Sequence, residues 1–359
     1  MKLGIILPHL RTGGIERGMV QLFPHFLGAG FELTLFLQSK DGDLLDTLSP
    51  DIKVVDFSGA GVWQGSKLLA AHLRQQPMDV LWTATNAANV LSLAATKRMG
   101  RNATKVIIGE HIPLDAFIST RKFPWLRRAV MKALYPAATA ITAPIEPILD
   151  EHRDLLGRRC PKGVMLPNPV VDQVVRGRAV PSRAKRFVTL GRLSPEKDYA
   201  LALSTFAELA QADPECTLTM FGEGPERVAL EGQIQTLGIA DRVSMPGPAP
   251  DAKTALAQAD MLWCTSKVEG FGNVIVEAFG EGVAVASVDC PFGPPVLLDG
   301  GTAGCLMEGR DPKRLAADIA RFAADQGRRQ TAQIAGYETA EKFTRDASAK
   351  AHLAFFRSL

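Results

Sequence analysis

The chain reads as an α/β protein made of two doubly wound domains, each a parallel sheet covered by helices on both faces. Three observations predict this. At 359 residues it is too long for one ordinary core and suggests two domains of roughly 150 to 200 residues each. Short apolar runs alternate with longer amphipathic stretches throughout, the pattern of parallel strands joined by crossover helices. Midway, Pro167-Asn168-Pro169-Val170-Val171-Asp172 and then residues 176–184 form a Pro-containing polar stretch without periodicity, which reads as a linker.

In the first half the strands are expected at Leu3–Leu7, Glu32–Leu37, Val54–Phe57, Val80–Thr83, Lys105–Gly109, Ala140–Ala143 and Gly163–Leu166, with helices over Ile15–Leu27, Asn86–Met99 and Glu146–Leu156. The second half restarts at Arg186–Leu190 and continues through Cys216–Phe221, Arg242–Met245, Met261–Cys264 and Ala284–Val288. The expected domains are 1–168 and 169–342, with a C-terminal helix over 343–359 packing back on the first. Ligands of such sheets collect at the carboxyl ends of the strands, so the cleft between the domains is the expected site.

Hydrophobic residues at 46% and charged residues at 22% describe an ordinary globular protein rather than a disordered or membrane-spanning one. Five scattered cysteines (Cys160, Cys216, Cys264, Cys290, Cys305) form no Cys-x-x-Cys pair, which argues against zinc and disulfide frameworks and for a reducing cytosol. The opening Met1–Pro8 is a short apolar strand ended by proline rather than a signal peptide. No apolar run reaches the ~18 residues needed to span a bilayer. The expected location is cytoplasmic, with a peripheral position on the inner face of the cell membrane as an option.

That option comes from the charge distribution. Residues 1–170 carry 20 Lys/Arg against 14 Asp/Glu, whereas the rest carries 21 against 24. Much of the excess lies in residues 119–134, where Arg121, Lys122, Arg127, Arg128 and Lys132 are interleaved with Phe123, Trp125, Leu126, Val130 and Met131. Two readings stay open: a solvated amphipathic helix packing its apolar stripe on the core, or a helix lying on an anionic leaflet. No other basic stripe carries stacking aromatics, which argues against nucleic acid.

Four loops carry the chemistry. Gly13-Gly14 follows the first strand and opens a helix, letting backbone approach a ligand closely. Gly191-Arg192-Leu193-Ser194-Pro195-Glu196-Lys197 follows strand Arg186–Leu190; a guanidinium fork and an ammonium five residues apart can converge on one polyanion, or be surface cations answering Glu196 and Asp198. Phe221-Gly222-Glu223-Gly224-Pro225 ends the next strand. The fourth, Glu269-Gly270-Phe271-Gly272-Asn273-Val274-Ile275-Val276-Glu277, is a Gly-rich turn opening a helix near Asn273, with one carboxylate at its mouth and a second about two turns on.

In order and separation these loops resemble those of family 4 retaining glycosyltransferases of the GT-B fold. The resemblance covers nearly the whole chain and is strongest over 186–310. It implies that Arg192 and Lys197 hold the diphosphate of a nucleotide-sugar donor and that Glu277 takes the ribose hydroxyls. Glu269 and the backbone of Phe271, Gly272 and Asn273 would contact donor sugar and phosphate. His111 would be the active-site histidine near the transferred sugar. Gly13 and Gly14 would lie against the diphosphate from the opposite side of the cleft, Gly191, Gly222 and Gly224 would belong to the donor-binding loops, and Met245-Pro246-Gly247-Pro248 would border the base. Retention of configuration and a UDP-sugar donor follow from the same resemblance; the basic, Trp-bearing surface of residues 119–134, with Arg121, Lys122, Trp125, Arg127 and Arg128, favours a membrane glycolipid, polyprenyl-linked saccharide or polysaccharide precursor as acceptor.

Two departures stand out: Val296 replaces a glutamate common after the Pro-Phe-Gly-Pro turn, and Ala143-Pro144 replaces a serine after the last first-domain strand. Asp41-Gly42-Asp43 could hold a metal, but it lies in a polar turn away from the other motifs. No metal or other cofactor is expected, because the family meets the diphosphate with protein cations. A GT-B nucleotide-sugar 2-epimerase and a non-catalytic sugar-nucleotide binder are the alternatives.

Overall fold

The computed structural model describes residues 1–11, 13–100, 104–119 and 123–359. It divides into two compact units, one of Met1–Pro169 with Arg345–Leu359, the other of Val170–Thr344. Residues of the expected linker are bonded into the second unit: Val170 N–H donates to Phe343 O at 2.9 Å and Val175 N–H to Gly280 O at 2.7 Å.

In the first unit β1 (Lys2–Leu7), α1 (Gly14–Gly28), β2 (Glu32–Leu37), β3 (Lys53–Asp56), α2 (Val62–Gln75), β4 (Val80–Thr83), α3 (Asn86–Met99), β5 (Lys105–Gly109), α4 (Leu114–Ser119), α5 (Pro124–Leu134), β6 (Ala140–Ala143), α6 (Glu146–Leu156) and β7 (Lys162–Met165) follow one another. The sheet runs β3-β2-β1-β4-β5-β6-β7 with every pair parallel. Its inner strands are buried on both faces: all residues of β4 and β6, and five of six in β1. Continuous apolar runs therefore mark them, not alternation. The chain leaves β1 toward β2 and returns through β4 on the other side, so the carboxyl ends of β1 and β4 flank the reversal at which doubly wound sheets bind ligands. Thr85 caps α3 there, its hydroxyl accepting from Ala88 N–H.

The second unit repeats the plan with β8 (Arg186–Leu190), α7 (Tyr199–Ala212), β9 (Thr217–Phe221), α8 (Arg227–Leu237), β10 (Val243–Gly247), α9 (Ala252–Leu256), β11 (Met261–Cys264), α10 (Asn273–Gly280), β12 (Ala284–Val288), α11 (Gly293–Leu297), β13 (Cys305–Met307), α12 (Pro312–Ala324) and α13 (Gln326–Glu341). Its order is β10-β9-β8-β11-β12-β13, again parallel, so β8 and β11 flank the reversal. Two details depart from the sequence reading. The strand expected to stop at Met245 runs on to Gly247 through a bulge after Ser244, which is how a sheet edge accommodates Pro246. β13 has only three residues, too few to show a period.

The last helix, α14 (Arg345–Arg357), belongs to the first unit. Phe356 packs edge-on against Phe26 of α1 and Trp82 of β4, with ring centroids 5.7 and 5.5 Å apart. Ser348 donates its hydroxyl to Pro167 O at 2.6 Å. No helix among the described residues is long and apolar enough to cross a membrane.

Phe356 is fully buried, so Phe356→Ala should destabilise the first unit by about 3–5 kcal/mol. Denaturant unfolding followed by tryptophan fluorescence, with Trp82 as the reporter beside the lost ring, checks this; an unchanged midpoint would contradict the packing of α14.

Candidate active site

The carboxyl ends of β8 and β9 in the second unit are shaped by glycines that touch one another's backbone. Gly191 N–H donates to Phe221 O at 3.0 Å and Gly222 N–H to Gly247 O at 2.9 Å. A Cβ on Gly222 would meet Gly191 O at 1.9 Å, and one on Gly224 would meet Leu193 O at 2.3 Å. Glycine is required at both positions because strand ends and loop lie in backbone contact. The structure thus brings together Gly191, Gly222, Gly224 and Gly247.

Lys197 lies beyond this layer, and its ammonium donates to Glu269 Oε2. Both side chains are mostly buried, and Ser266 Oγ donates to the same carboxylate oxygen at 3.1 Å. Burial pulls the Lys197 pKa down, but the charge and hydrogen bond of Glu269 outweigh it and hold the ammonium above the ordinary lysine value. Two residues predicted from separate loops therefore meet at the β8/β11 reversal. Arg192 is exposed, and no ion pair or side-chain hydrogen bond engages its guanidinium among the described residues.

Sequence reasoning missed Arg310, which joins these two loops. Its guanidinium donates to Asp198 Oδ2 at 2.7 Å and to Ser266 O at 3.1 Å, and also to Thr265 O. Thr265 Oγ1 donates back to Lys197 O at 3.0 Å. Asp198, beside Lys197, holds a left-handed backbone at φ 48°, a strained state that neighbours must over-determine. The signal was faint: Arg310 follows the three-residue β13, which showed no period.

The Glu269–Glu277 motif opens α10 as expected. Gly272 sits at φ 99° and no side chain caps the helix; the Asn273 Oδ1 is sequestered with no hydrogen-bond partner. Glu277 is half-buried on the second turn. The Phe271 ring packs at 4.8 Å, edge-on, against Phe343, so only its backbone is available to a ligand. The Pro-Phe-Gly-Pro turn closes over this loop: Gly293 N–H donates to Glu269 O at 2.9 Å, and a Cβ on Gly293 would lie 1.8 Å from Phe271 O. Val296 is exposed on α11.

In the first unit His111 follows β5. Burial pushes its pKa down to about 4, against the opposing pull of Glu110 and a hydrogen bond with Asn168, so the ring is neutral at ordinary pH. Its Nε2 is sequestered without a partner. At α1 a side chain lies close to the glycine turn. A Cβ on Gly13 would meet Glu16 Oε2 at 2.3 Å, and Glu16 is buried. A carboxylate of the chain itself thus lies beside Gly13 at this helix start, although no side chain caps the helix by a hydrogen bond. Asp41 pairs with Arg11 at 2.5 Å.

Arg121 and Lys122 lie outside the described residues. α5 buries only Met131 and Leu134, leaving Phe123 (63% exposed), Trp125 (69%) and Leu126 at the surface. Of the two readings left open for this segment, core packing holds only in the last turn of α5. Arg128 is paired with Asp115 at 2.5 Å, and Arg127 is half-buried.

Residues 12–173 match the model "Glycosyltransferase Family 4" and residues 173–339 the model "Glycosyl transferases group 1". The chain belongs to the family 4-type glycosyltransferases. Solved structures agree on the fold: the lipopolysaccharide outer core galactosyltransferase WaaB superposes with a TM-score of 0.80 at 19% identity, and HepE of Anabaena in complex with UDP with 0.82 at 21%, each over 100% of both chains. These are GT-B enzymes, with two Rossmann-like domains like those described here. Among relatives, an exopolysaccharide phosphotransferase of Streptomyces coelicolor is 28% identical over 77% of this chain, which spans only 28% of that protein. An N-acetylgalactosaminyltransferase of Campylobacter jejuni acting on a diphospho-undecaprenol is 24% identical over 86% of each. The chain spans about a quarter to a half of the length of the first four relatives it matches.

Glu269→Gln should unmask the burial of Lys197. With the carboxylate gone, the largest contributions opposing desolvation are lost and the ammonium pKa falls, so more free amine is present at pH 9–10. Acylation of Lys197, followed by peptide mass spectrometry, should run faster in the variant; equal rates would refute the pairing.

Proposed function

We propose that this glycosyltransferase moves a hexose from a nucleotide-diphosphate sugar, with UDP the favoured base, to a hydroxyl of a membrane glycolipid, polyprenyl-linked saccharide or polysaccharide precursor. The observation that carries the reading is the Lys197–Glu269 pair at the carboxyl ends of β8 and β11, beside an uncapped helix start. Such a place combines a cation, free backbone N–H groups and a positive dipole end, the requirements of a diphosphate. HepE was solved with UDP and with UDP-glucose, and the Campylobacter relative is named for a polyprenyl diphosphate acceptor; both support the donor and acceptor classes.

In this reading Lys197 exchanges Glu269 for the donor phosphates, joined by the exposed fork of Arg192. Glu269 is then freed to anchor sugar hydroxyls, and Glu277 holds the ribose. His111, a neutral imidazole, takes the part of a hydrogen-bond partner for the transferred sugar. The bond from the anomeric carbon to the diphosphate oxygen breaks with its electron pair leaving on UDP. The acceptor oxygen forms the new bond on the same face, and its proton passes to the departing phosphate. Positive charge builds on the sugar and negative charge on the leaving group, and fixed cations stabilise the latter most where water is scarce. Because those cations come from the protein, no metal is assigned, and EDTA should leave turnover unchanged.

Arg192→Ala or Lys197→Ala should lower donor turnover by about tenfold to a thousandfold, read with radiolabelled UDP-glucose, UDP-galactose, UDP-N-acetylglucosamine and GDP-mannose in the presence of lipid extract. Wild-type turnover in both variants would overturn the assignment. For the membrane, exposed Phe123, Trp125 and Leu126 next to a basic segment support docking on an anionic surface. Co-sedimentation should favour anionic over neutral vesicles and weaken with salt; equal recovery on both would remove the electrostatic basis.

A further inference from the structure

Behind His111 lies a buried polar cluster that none of the roles above uses. Glu110, between Gly109 and His111, is 7% exposed. Its Oε1 accepts from Asn89 Nδ2 at 2.7 Å and from the Tyr135 hydroxyl at 2.6 Å, and lies 3.7 Å from His152 Nε2. His152, on α6, has no exposed surface. Its Nδ1 is 2.8 Å from Ile148 O, one turn back.

The geometry assigns a proton. A carbonyl can only accept, so Nδ1 carries hydrogen. Nε2 then faces a carboxylate: a neutral ring would set a lone pair against the anion, whereas an imidazolium sets an N–H against it. The pKa of His152 lies above the ordinary value; burial opposes the charge, and the nearby Glu110 carboxylate, Ile148 O and Glu151 together outweigh it, although at 3.7 Å Nε2 and Glu110 form an ion pair rather than a hydrogen bond. The Tyr135 ring stacks on His152 at 6.1 Å with planes 5° apart, and burial with Glu110 holds its phenol far above the usual range, so it remains a donor. Among the described residues, Glu110 just after β5, Glu151 from α6 itself and Tyr135 after α5 are the titratable groups bearing on His152. Glu151 is also engaged by Leu114 N–H at 2.6 Å.

The pair is mechanically close to His111. Asn89 Nδ2 also reaches Gly109 O at 3.3 Å, and Glu110 N–H donates to Thr142 O at 2.8 Å. A Cβ on Gly109 would meet Thr83 O at 2.5 Å and His111 Nε2 at 3.4 Å, so the imidazole lies folded over a turn with no slack. We propose that Glu110 and His152 form a buried charge pair that positions His111, and that loss of the His152 proton releases the Gly109–His111 turn. Deprotonation would leave a buried carboxylate held by neutral donors alone, which costs enough to move it or draw in water or a proton.

The inference rests on reading His111 as a ligand of the transferred sugar, and its test separates the two. Imidazole nitrogen NMR of the wild type across pH 5–9 should show His152 with both nitrogens protonated below about pH 6.5, titrating above it, with the His111 signals shifting in step. Glu110→Gln, which keeps the side-chain shape, should lower the His152 pKa. His152 neutral at pH 6, or His111 signals blind to its titration, would overturn the proposal. In turnover, wild-type kcat should fall on the alkaline side as His152 loses its proton. His152→Gln should lower kcat by ten- to a hundredfold with donor KM little changed, and flatten that limb. Unaltered kcat with the alkaline limb intact in His152→Gln would also sink it. If the wild type turns over none of the donors, the reading of function fails by itself, while the NMR titration still decides the charge pair.

Discussion

The Lys197–Glu269 ion pair is the interaction on which the candidate site depends. Its partners are 72 residues apart in sequence, and they meet because parallel pairing of β8 with β11 delivers both following loops to the same sheet edge. A mostly buried ammonium and carboxylate stabilise each other, since removing either leaves the other unpaired at low dielectric. The pair therefore ties the two loops together without a ligand. It also defines what a ligand must supply, because only an anion able to replace Glu269 at Lys197 can enter at no loss.

Around that pair the second unit spends backbone contact rather than side-chain bulk. Gly191, Gly222, Gly224 and Gly293 each stand where a β-carbon would strike a neighbouring residue, and Arg310 seals the layer by taking three acceptors from two loops. Pre-organisation of this kind lets fixed dipoles and charges act on a developing anion without rearranging during reaction. Phe292 at φ 83° and Asp198 at φ 48° mark where that rigidity is held against local strain.

The first unit solves a different problem with the same sheet. It carries a histidine kept neutral by burial above a cluster in which another histidine is drawn toward the charged state by its carboxylate neighbour. Two imidazoles on one scaffold are thus drawn in opposite directions, one by burial that prevails and one by neighbouring acceptors and charges that outweigh burial. At α1 the carboxylate of Glu16 lies beside Gly13, an anion of the chain next to a helix start that no side chain caps.

Local information was enough for most of the architecture. Twelve of the thirteen strands could be read from their sequence; the inner ones stand out because strands buried on both faces must be apolar along their whole length. β13 escaped, being too short to show a pattern, and Arg310 escaped with it. The loop glycines and the cations Arg192 and Lys197 were legible as residue types at strand ends. Their partners were not: that Lys197 meets Glu269, that Glu16 folds over Gly13, or that Glu110 faces His152 depends on which strand ends lie side by side. Strand order is set by packing across many residues, so composition and spacing determined the fold class and the candidate loops, while only the tertiary structure decided which charges are paired and which protons are held.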